Sequence, residues 1–326
     1  MTLFCGGGTG GHLVIVDAVA DFIEPKIYIG SKAGQDRKWF ANDPRFEKKL
    51  FLDTTGVVNK RGIQKLGALV SLCKAIIKAY PHVRNSDAVF SVGGFSAAPA
   101  AIAAILARKP LYIHEQNSVV GKLNSLLKPF CKTFFHSFGN KRYSYPVKQV
   151  FFDLARDRIE LKTVIFLGGS QGASGINKIA LEVAKRYPFK LIHQCGDKEY
   201  EQLKKEYANI GADVELFCFS DNLAQKMKEA DFAVARAGAS TLWELAANRL
   251  PTLFVPYPYA ASDHQFYNAK TLVDEDLAWV VRQEDFDLDF FETLSGETLL
   301  KVSKNLGGAI ECGGAKKIAQ IVQDGG

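Results

Sequence analysis

Short runs of consecutive apolar residues alternate along this chain with longer segments whose apolar positions recur every third or fourth residue. The first pattern is that of strands buried on both faces; the second is that of helices with one apolar stripe. Strands are predicted at Thr2–Cys5, Lys26–Ile29, Ala88–Val92, Leu111–His114 and Thr133–His136. Helices are predicted between them at Val14–Phe22, Gln64–Tyr80, Pro99–Ala107 and Lys122–Lys128. The rhythm breaks from Gly139 to Leu161 and then restarts, with strands at Thr163–Leu167, Lys190–Gln194, Asp213–Phe217, Asp231–Ala235 and Thr252–Val255. The matching helices are Gly175–Tyr187, Tyr200–Glu206, Asn222–Glu229, Thr241–Asn248 and His264–Val273, with a last one at Lys316–Val322. Such alternation predicts an α/β protein with parallel sheets and right-handed crossovers. The break divides the 326 residues into two domains, 1–150 and 151–326, expected to face each other across a central cleft.

Three glycine-rich turns fall at predicted strand ends: Gly6-Gly7-Gly8-Thr9-Gly10-Gly11-His12, Gly93-Gly94-Phe95-Ser96 and Gly168-Gly169-Ser170-Gln171-Gly172-Ala173. Each precedes a helical segment. Glycine lets backbone approach a ligand closely, and a helix N-terminus offers N–H groups to an anion. The pattern suggests phosphate-bearing ligands in two nucleotide-type units. Gly6, Gly8 and Gly11 satisfy G-x-G-x-x-G, but the second strand ends Ile29-Gly30-Ser31 without the acidic residue that a dinucleotide ribose requires. An NAD-dependent dehydrogenase is therefore the poorer reading. His12 closes the first loop and is a candidate general base, the only side chain type that titrates near neutrality unperturbed.

Composition narrows the partners. Residues 1–150 hold 21 Lys+Arg against 9 Asp+Glu, a balance of +12, and the remainder holds 20 against 26, or −6. A basic half joined to an acidic half points to one half facing something anionic. The stretch Val57–Arg84 has six basic residues (Lys60, Arg61, Lys65, Lys74, Lys78, Arg84), no acidic one, and apolar residues at helical spacing. It reads either as a surface helix with its stripe in the core or as a helix resting on anionic lipid. Nothing in the chain has the signature of a nucleic-acid binder. The longest apolar stretch, Phe95–Ala107, is too short to span a bilayer, and the immediate entry into a strand predicts no leader peptide. Six scattered cysteines without C-x-x-C favour a reducing compartment and no cysteine zinc site.

Two further segments carry chemistry. His114-Glu115-Gln116-Asn117 lacks the second histidine of H-E-x-x-H, since residue 118 is Ser118, and it ends a strand; a metal site is rejected there. Glu115 and Asn117 nevertheless stand at a strand end. In Arg236-Ala237-Gly238-Ala239-Ser240-Thr241-Leu242-Trp243-Glu244, the pair Thr241 and Glu244 forms a capping box, which accounts for both locally. The functional alternative has Glu244 accepting from ribose hydroxyls, with the Ser240 and Thr241 amides near phosphate.

Taken in order, these runs resemble the MurG glycosyltransferase family. The matches are Gly7–His12, Gly93–Phe95, His114–Asn117, Gly168–Ala173, Arg236–Glu244, Leu253-Phe254-Val255-Pro256 and Asp263-His264-Gln265 with Asn268-Ala269. The resemblance implies a GT-B fold of two Rossmann-like domains. It implies transfer of N-acetylglucosamine from UDP-GlcNAc to undecaprenyl-diphosphate-linked muramyl-pentapeptide at the cytoplasmic face of the inner membrane, without cofactor or metal. That step belongs to peptidoglycan synthesis, and through it to cell shape and division. The acceptor would meet Thr9, His12, Gly93 and Gly94, with His12 the first candidate base and Glu115 the second. The donor would meet Thr9, Gly10, Gly11, Asn117, Lys148, Ser170, Ser220, Ala239, Ser240, Thr241, Glu244, His264 and Gln265. The chain departs from the family pattern at Leu13-Val14-Ile15, where a proline-containing segment is usual, and at Tyr145-Pro146-Val147-Lys148, where the last residue is usually arginine. Lysine keeps the charge but not the bidentate fork. A related GT-B glycolipid transferase, a UDP-GlcNAc epimerase, or a non-catalytic nucleotide-sugar binding module are the alternatives.

Overall fold

A computed structural model describes residues 1–54, 62–139, 143–169 and 172–325, without the side chains of residues 62–65. Two compact units emerge, Met1–Pro146 with Gly313–Gly326, and Val147–Cys312. These bounds differ from the expected 1–150 and 151–326: the last helix returns to the first unit, and residues 147–150 belong to the second.

In the first unit the strands are β1 (Thr2–Cys5), β2 (Lys26–Ser31), β3 (Lys48–Leu52), β4 (Ala88–Ser91), β5 (Leu111–Glu115) and β6 (Thr133–His136). Its helices are α1 (Gly10–Ala20), α2 (Asp36–Phe40), α3 (Gly62–Arg84), α4 (Ala98–Leu106), α5 (Lys122–Leu127) and, from the chain's end, α13 (Gly314–Asp324). The second unit has β7 (Thr163–Leu167), β8 (Lys190–Gln194), β9 (Val214–Phe217), β10 (Phe232–Ala235), β11 (Thr252–Phe254) and β12 (Trp279–Val280). Its helices are α6 (Gln149–Asp153), α7 (Ser174–Arg186), α8 (Tyr200–Ile210), α9 (Leu223–Glu229), α10 (Ala239–Ala247), α11 (His264–Val273) and α12 (Gly296–Leu306).

Both sheets are parallel and share one topology. The first runs β3-β2-β1-β4-β5-β6 and the second β9-β8-β7-β10-β11-β12. The order reverses between β1 and β4 in the first and between β7 and β10 in the second, and such a switch point leaves a crevice at the strands' carboxyl ends. The four loop motifs of the sequence follow these four strands. Burial on both faces explains why the strands are apolar throughout: Leu3, Val89 and Ile113 pack beneath α3 and α4 residues such as Ala75, Ala79 and Ala100. Phe4, Tyr28, Phe40, Phe46 and Phe90 form an aromatic cluster, with Phe4 and Phe90 ring centroids 5.5 Å apart.

Candidate functional site

In the first unit the two glycine turns support one another. Gly7 N–H donates to Gly93 O at 3.3 Å. A Cβ on Gly6, at φ +114°, would lie 2.6 Å from Gly93 O, and one on Gly94 would lie 2.4 Å from Gly7 O. Asp36, fully buried on α2, secures this loop from below. Its carboxylate accepts from Gly8 N–H at 2.7 Å, Ser31 N–H at 3.0 Å and the Tyr28 hydroxyl at 3.1 Å. A carboxylate thus does reach the second strand's end, but it takes up an amide of the glycine loop itself.

Thr9 is the residue before α1, with Gly10 and Gly11 in a first turn free of acidic residues. The Thr9 hydroxyl lies 2.9 Å from His12 Nδ1, and Gln116 Nε2 lies 2.9 Å from His12 Nε2, so both ring nitrogens are held. Gln116 was not among the expected site residues, although the motif containing it was.

Glu115, the second candidate base, is held by three donors. It is buried, and its oxygens accept from Asn117 N–H at 3.0 Å, Gly121 N–H at 2.9 Å and Asn124 Nδ2 at 2.9 Å. A carboxylate so engaged fastens the loop 117–121 and the first turn of α5. Asn117 O in turn accepts from His136 Nε2 at 2.8 Å. His114 is fully buried with neither ring nitrogen hydrogen-bonded, and burial lowers its pKa to about 3.

Helix α3 has two apolar faces. Ala68, Ala75, Ala79 and Val83 face the core, while Leu66 (65% exposed), Leu69, Val70 and Ile77 (71%) form a second stripe open to solvent. Leu66–Arg84 is long and apolar enough to cross a membrane by length and composition. Its core-facing alanines and its Lys74 and Lys78 make it an amphipathic surface helix. Val57 to Arg61 and the side chain of Lys65 lie outside the described residues.

In the second unit Gly172, at φ +73°, leaves no room for a side chain, since a Cβ would lie 2.2 Å from Cys195 O. Ser170 and Gln171 lie outside the described residues. Behind the loop, Asn177 Nδ2 donates to Cys195 O and Glu199 Oε2, which leaves Asn177 Oδ1 to accept from His193 Nε2 at 3.0 Å. His193 Nδ1 then accepts from the Tyr207 hydroxyl at 2.9 Å, so one tautomer is set, and burial lowers this histidine's pKa to about 3.

Helix α10 begins earlier than expected. Gly238 is its N-cap and no side chain caps it, so Thr241 is the third helical residue and the capping box does not form. Glu244 keeps partial contact with solvent while its carboxyl lies deep in protein, and burial pushes its pKa up to about 7 against a downward pull from Lys148. Ser220 Oγ accepts from Asn222 N–H at 3.1 Å, beside an exposed Phe219. Gln265 Oε1 accepts from Tyr257 N–H at 2.9 Å, and His264 Nδ1 donates to Ala261 O at 2.8 Å. Ala239, Ser240 and Thr241 form the first turn of α10, which has no acidic residue. The second unit therefore brings two helix N-termini and a high-pKa carboxyl to the carboxyl edge of its sheet.

Comparison with known proteins agrees. Residues 2–136 match the glycosyltransferase family 28 N-terminal domain, and residues 163–306 match the glycosyltransferase family 28 C-terminal domain. The chain is 50% identical to the UDP-N-acetylglucosamine–N-acetylmuramyl-(pentapeptide) pyrophosphoryl-undecaprenol N-acetylglucosamine transferase of Sulfurovum sp. (strain NBC37-1), covering 99% of this chain and 98% of that protein. It is 48% identical to the Campylobacter fetus protein of the same name, over 98% of each. Among solved structures it is similar to Acinetobacter baumannii MurG, with a TM-score of 0.81, 26% identity and 99% of both chains covered. A UDP-N-acetylglucosamine 2-epimerase (TM-score 0.64, 10% identity, 99% of this chain and 96% of that one) shares the fold alone.

Proposed function

The chain belongs to glycosyltransferase family 28, with the GT-B fold and the MurG transferases as its relatives, and on that premise we propose that it moves N-acetylglucosamine from UDP-GlcNAc to lipid-linked N-acetylmuramyl-pentapeptide. The observation that carries this reading is identity near one half along nearly the whole chain. The epimerase alternative retains only the shared fold. The enzyme is a hexosyltransferase of peptidoglycan synthesis.

In the mechanism we favour, the 4-hydroxyl of the acceptor sugar attacks the anomeric carbon from the face opposite UDP. The new C–O bond forms as the bond to the UDP oxygen breaks, the hydroxyl proton passes to a base, and the configuration inverts. His12 is that base. Its Nδ1 contact with Thr9 orients the ring, and displacement of Gln116 from Nε2 would open the nitrogen that receives the proton. Thr9, His12 and the turn at Gly93-Gly94 take the acceptor diphosphate and sugar, while Thr9, Gly10 and Gly11 also meet the donor. The second unit takes the donor: Glu244 receives the ribose hydroxyls, the first turn of α10 (Ala239, Ser240, Thr241) and Ser170 meet the diphosphate, and backbone at Ser220 meets the uracil. Gln265 and His264 reach the sugar, with Asn117 and Lys148 as further donor contacts. Helix N-termini without acidic residues offset the charge developing on the leaving diphosphate.

The exposed stripe of α3, flanked by Lys74 and Lys78 in the basic half, supports docking on anionic lipid, as a peripheral enzyme at the cytoplasmic face of the inner membrane. The deciding assay is incubation with labelled UDP-GlcNAc and the lipid-linked muramyl-pentapeptide. A labelled lipid-linked disaccharide is expected; hydrolysis or epimerisation of UDP-GlcNAc without it would overturn the reading.

A further inference from the structure

The second unit buries two guanidinium groups, one at each edge of its sheet, and the helix ends beside them are of opposite sign. Arg158 is fully buried near the amino edge. It donates to Met227 O at 3.0 Å and Ala230 O at 3.3 Å, at the end of α9, and to Asn248 O and Oδ1, at the end of α10. Those are helix C-termini, whose dipoles favour a cation; burial and the nearby Arg156 lower its pKa to about 9, with Asp231 and Asp157 opposing.

Arg236 stands at the carboxyl edge, directly after β10, and is 8% exposed. Its Nη1 donates to Val255 O and Pro256 O, both at 2.9 Å, and its Nη2 donates to Gln283 Oε1 at 2.7 Å. Its Nε is buried with no partner. Among the described residues no carboxylate pairs with it. Its nearest helix ends are of the wrong sign for a cation. Gly175, in the first turn of α7, lies so close that a Cβ there would be 2.7 Å from Nη2, and α10 begins three residues after Arg236. Neither first turn contains an acidic residue. Burial lowers the arginine's pKa, with only Tyr257 opposing. A desolvated cation at positive helix ends is unfavourable in the free protein. It becomes favourable when an anion arrives.

We propose that Arg236 is a fixed positive charge for the diphosphate of the nucleotide ligand, acting together with the N-terminus of α7 beside it. This rests on the reading that the second unit takes a uridine nucleotide. Three acceptors lock the guanidinium in place, so the charge needs no reorganisation when the ligand binds. Gly175 is the residue that permits the approach.

The test separates charge from scaffold. UDP and uridine are titrated against the full-length wild type, Arg236→Met and Arg236→Lys by ligand-observed NMR. Wild-type discrimination of UDP over uridine tests the reading beneath; a wild type that binds neither sinks that reading and the proposal with it. For Arg236→Met we expect UDP to weaken on the order of tenfold or more, the scale of a charge-assisted contact, with uridine unchanged. Arg236→Lys should keep most of the UDP affinity although it loses the fork to Val255 and Pro256. Equal weakening of UDP and uridine in Arg236→Met, or UDP affinity untouched, would overturn the proposal. If Arg236→Met does not fold, Arg236→Lys decides: loss of UDP binding with the charge retained would make Arg236 a scaffold only.

Discussion

Replacing Glu244 by glutamine should stabilise the protein at pH 8 and leave it unchanged near pH 4.5. Burial raises the carboxyl from the ordinary 4.5 to about 7 in the folded chain. Between those values the folded state holds a proton that the unfolded state has released, so stability falls as the pH rises through that window and levels off above about 7. The difference between 4.5 and about 7, at ~1.4 kcal/mol per pH unit, sets an upper bound of about 3.5 kcal/mol. Partial solvent contact reduces it, and we expect about 1.5–3 kcal/mol at pH 8. Glutamine keeps the shape and removes the titration. Urea unfolding of both proteins at pH 5, 6, 7 and 8 reads the difference directly, since other groups cancel. A difference that stays constant across this range would refute the argument. Ribose hydroxyls prefer the ionised form, so UDP-GlcNAc affinity should rise as the pH climbs through about 7, and Glu244→Gln should bind the donor more weakly and without that rise. Unchanged donor affinity in the variant would leave the buried carboxyl without a ribose role.

His12→Ala should lower kcat by roughly a hundred- to ten-thousand-fold while UDP-GlcNAc affinity, measured calorimetrically, stays near normal. Near-normal turnover would remove His12 as the base. Asp36→Ala should leave the buried Ser31 amide unpaired, at about 1–3 kcal/mol, and the half-buried Gly8 amide without its partner at a smaller cost; a lower thermal midpoint and reduced kcat with donor affinity retained are expected, and full turnover would show that the glycine loop holds its shape without the carboxylate. Replacing Lys65, Lys74 and Lys78 with Glu should abolish binding to anionic vesicles but not to UDP-GlcNAc, and wild-type vesicle binding should weaken as salt rises. Equal binding to neutral and anionic vesicles at every salt concentration would rule out the electrostatic part.

The two sheets were legible because their central strands are buried on both faces and read as unbroken apolar runs. The edges were not. β3 begins with an exposed Lys48 and a half-exposed Lys49, and β12 is only Trp279–Val280, so neither gives a run that stands out. Thr241 and Glu244 have capping-box spacing, yet the backbone turns into α10 at Gly238, which a local pattern does not reveal. Asp36 arrives on a five-residue helix after the strand rather than at the strand's end, so no strand-end pattern marks it. The motif containing Arg236 was visible, but its lack of a carboxylate partner is a property of packing. Glu115 reads as available in one dimension and is engaged only where the loop 117–121 and the start of α5 fold around it.

The return of α13 to the first unit reverses the usual order of assembly during synthesis. Domains commonly fold as they emerge, the N-terminal one first. Here α13 packs against α1 and β4, burying Ile318, Ala319 and Val322, and it is translated after the entire second unit. The first unit is thus the first begun and the last closed. Until the ribosome releases α13, the apolar surface that receives it stays wet, while the second unit already has all of its own elements. A fusion or cleavage that disturbs α13 would be felt at the opposite end of the chain, in the unit that carries the first glycine loop.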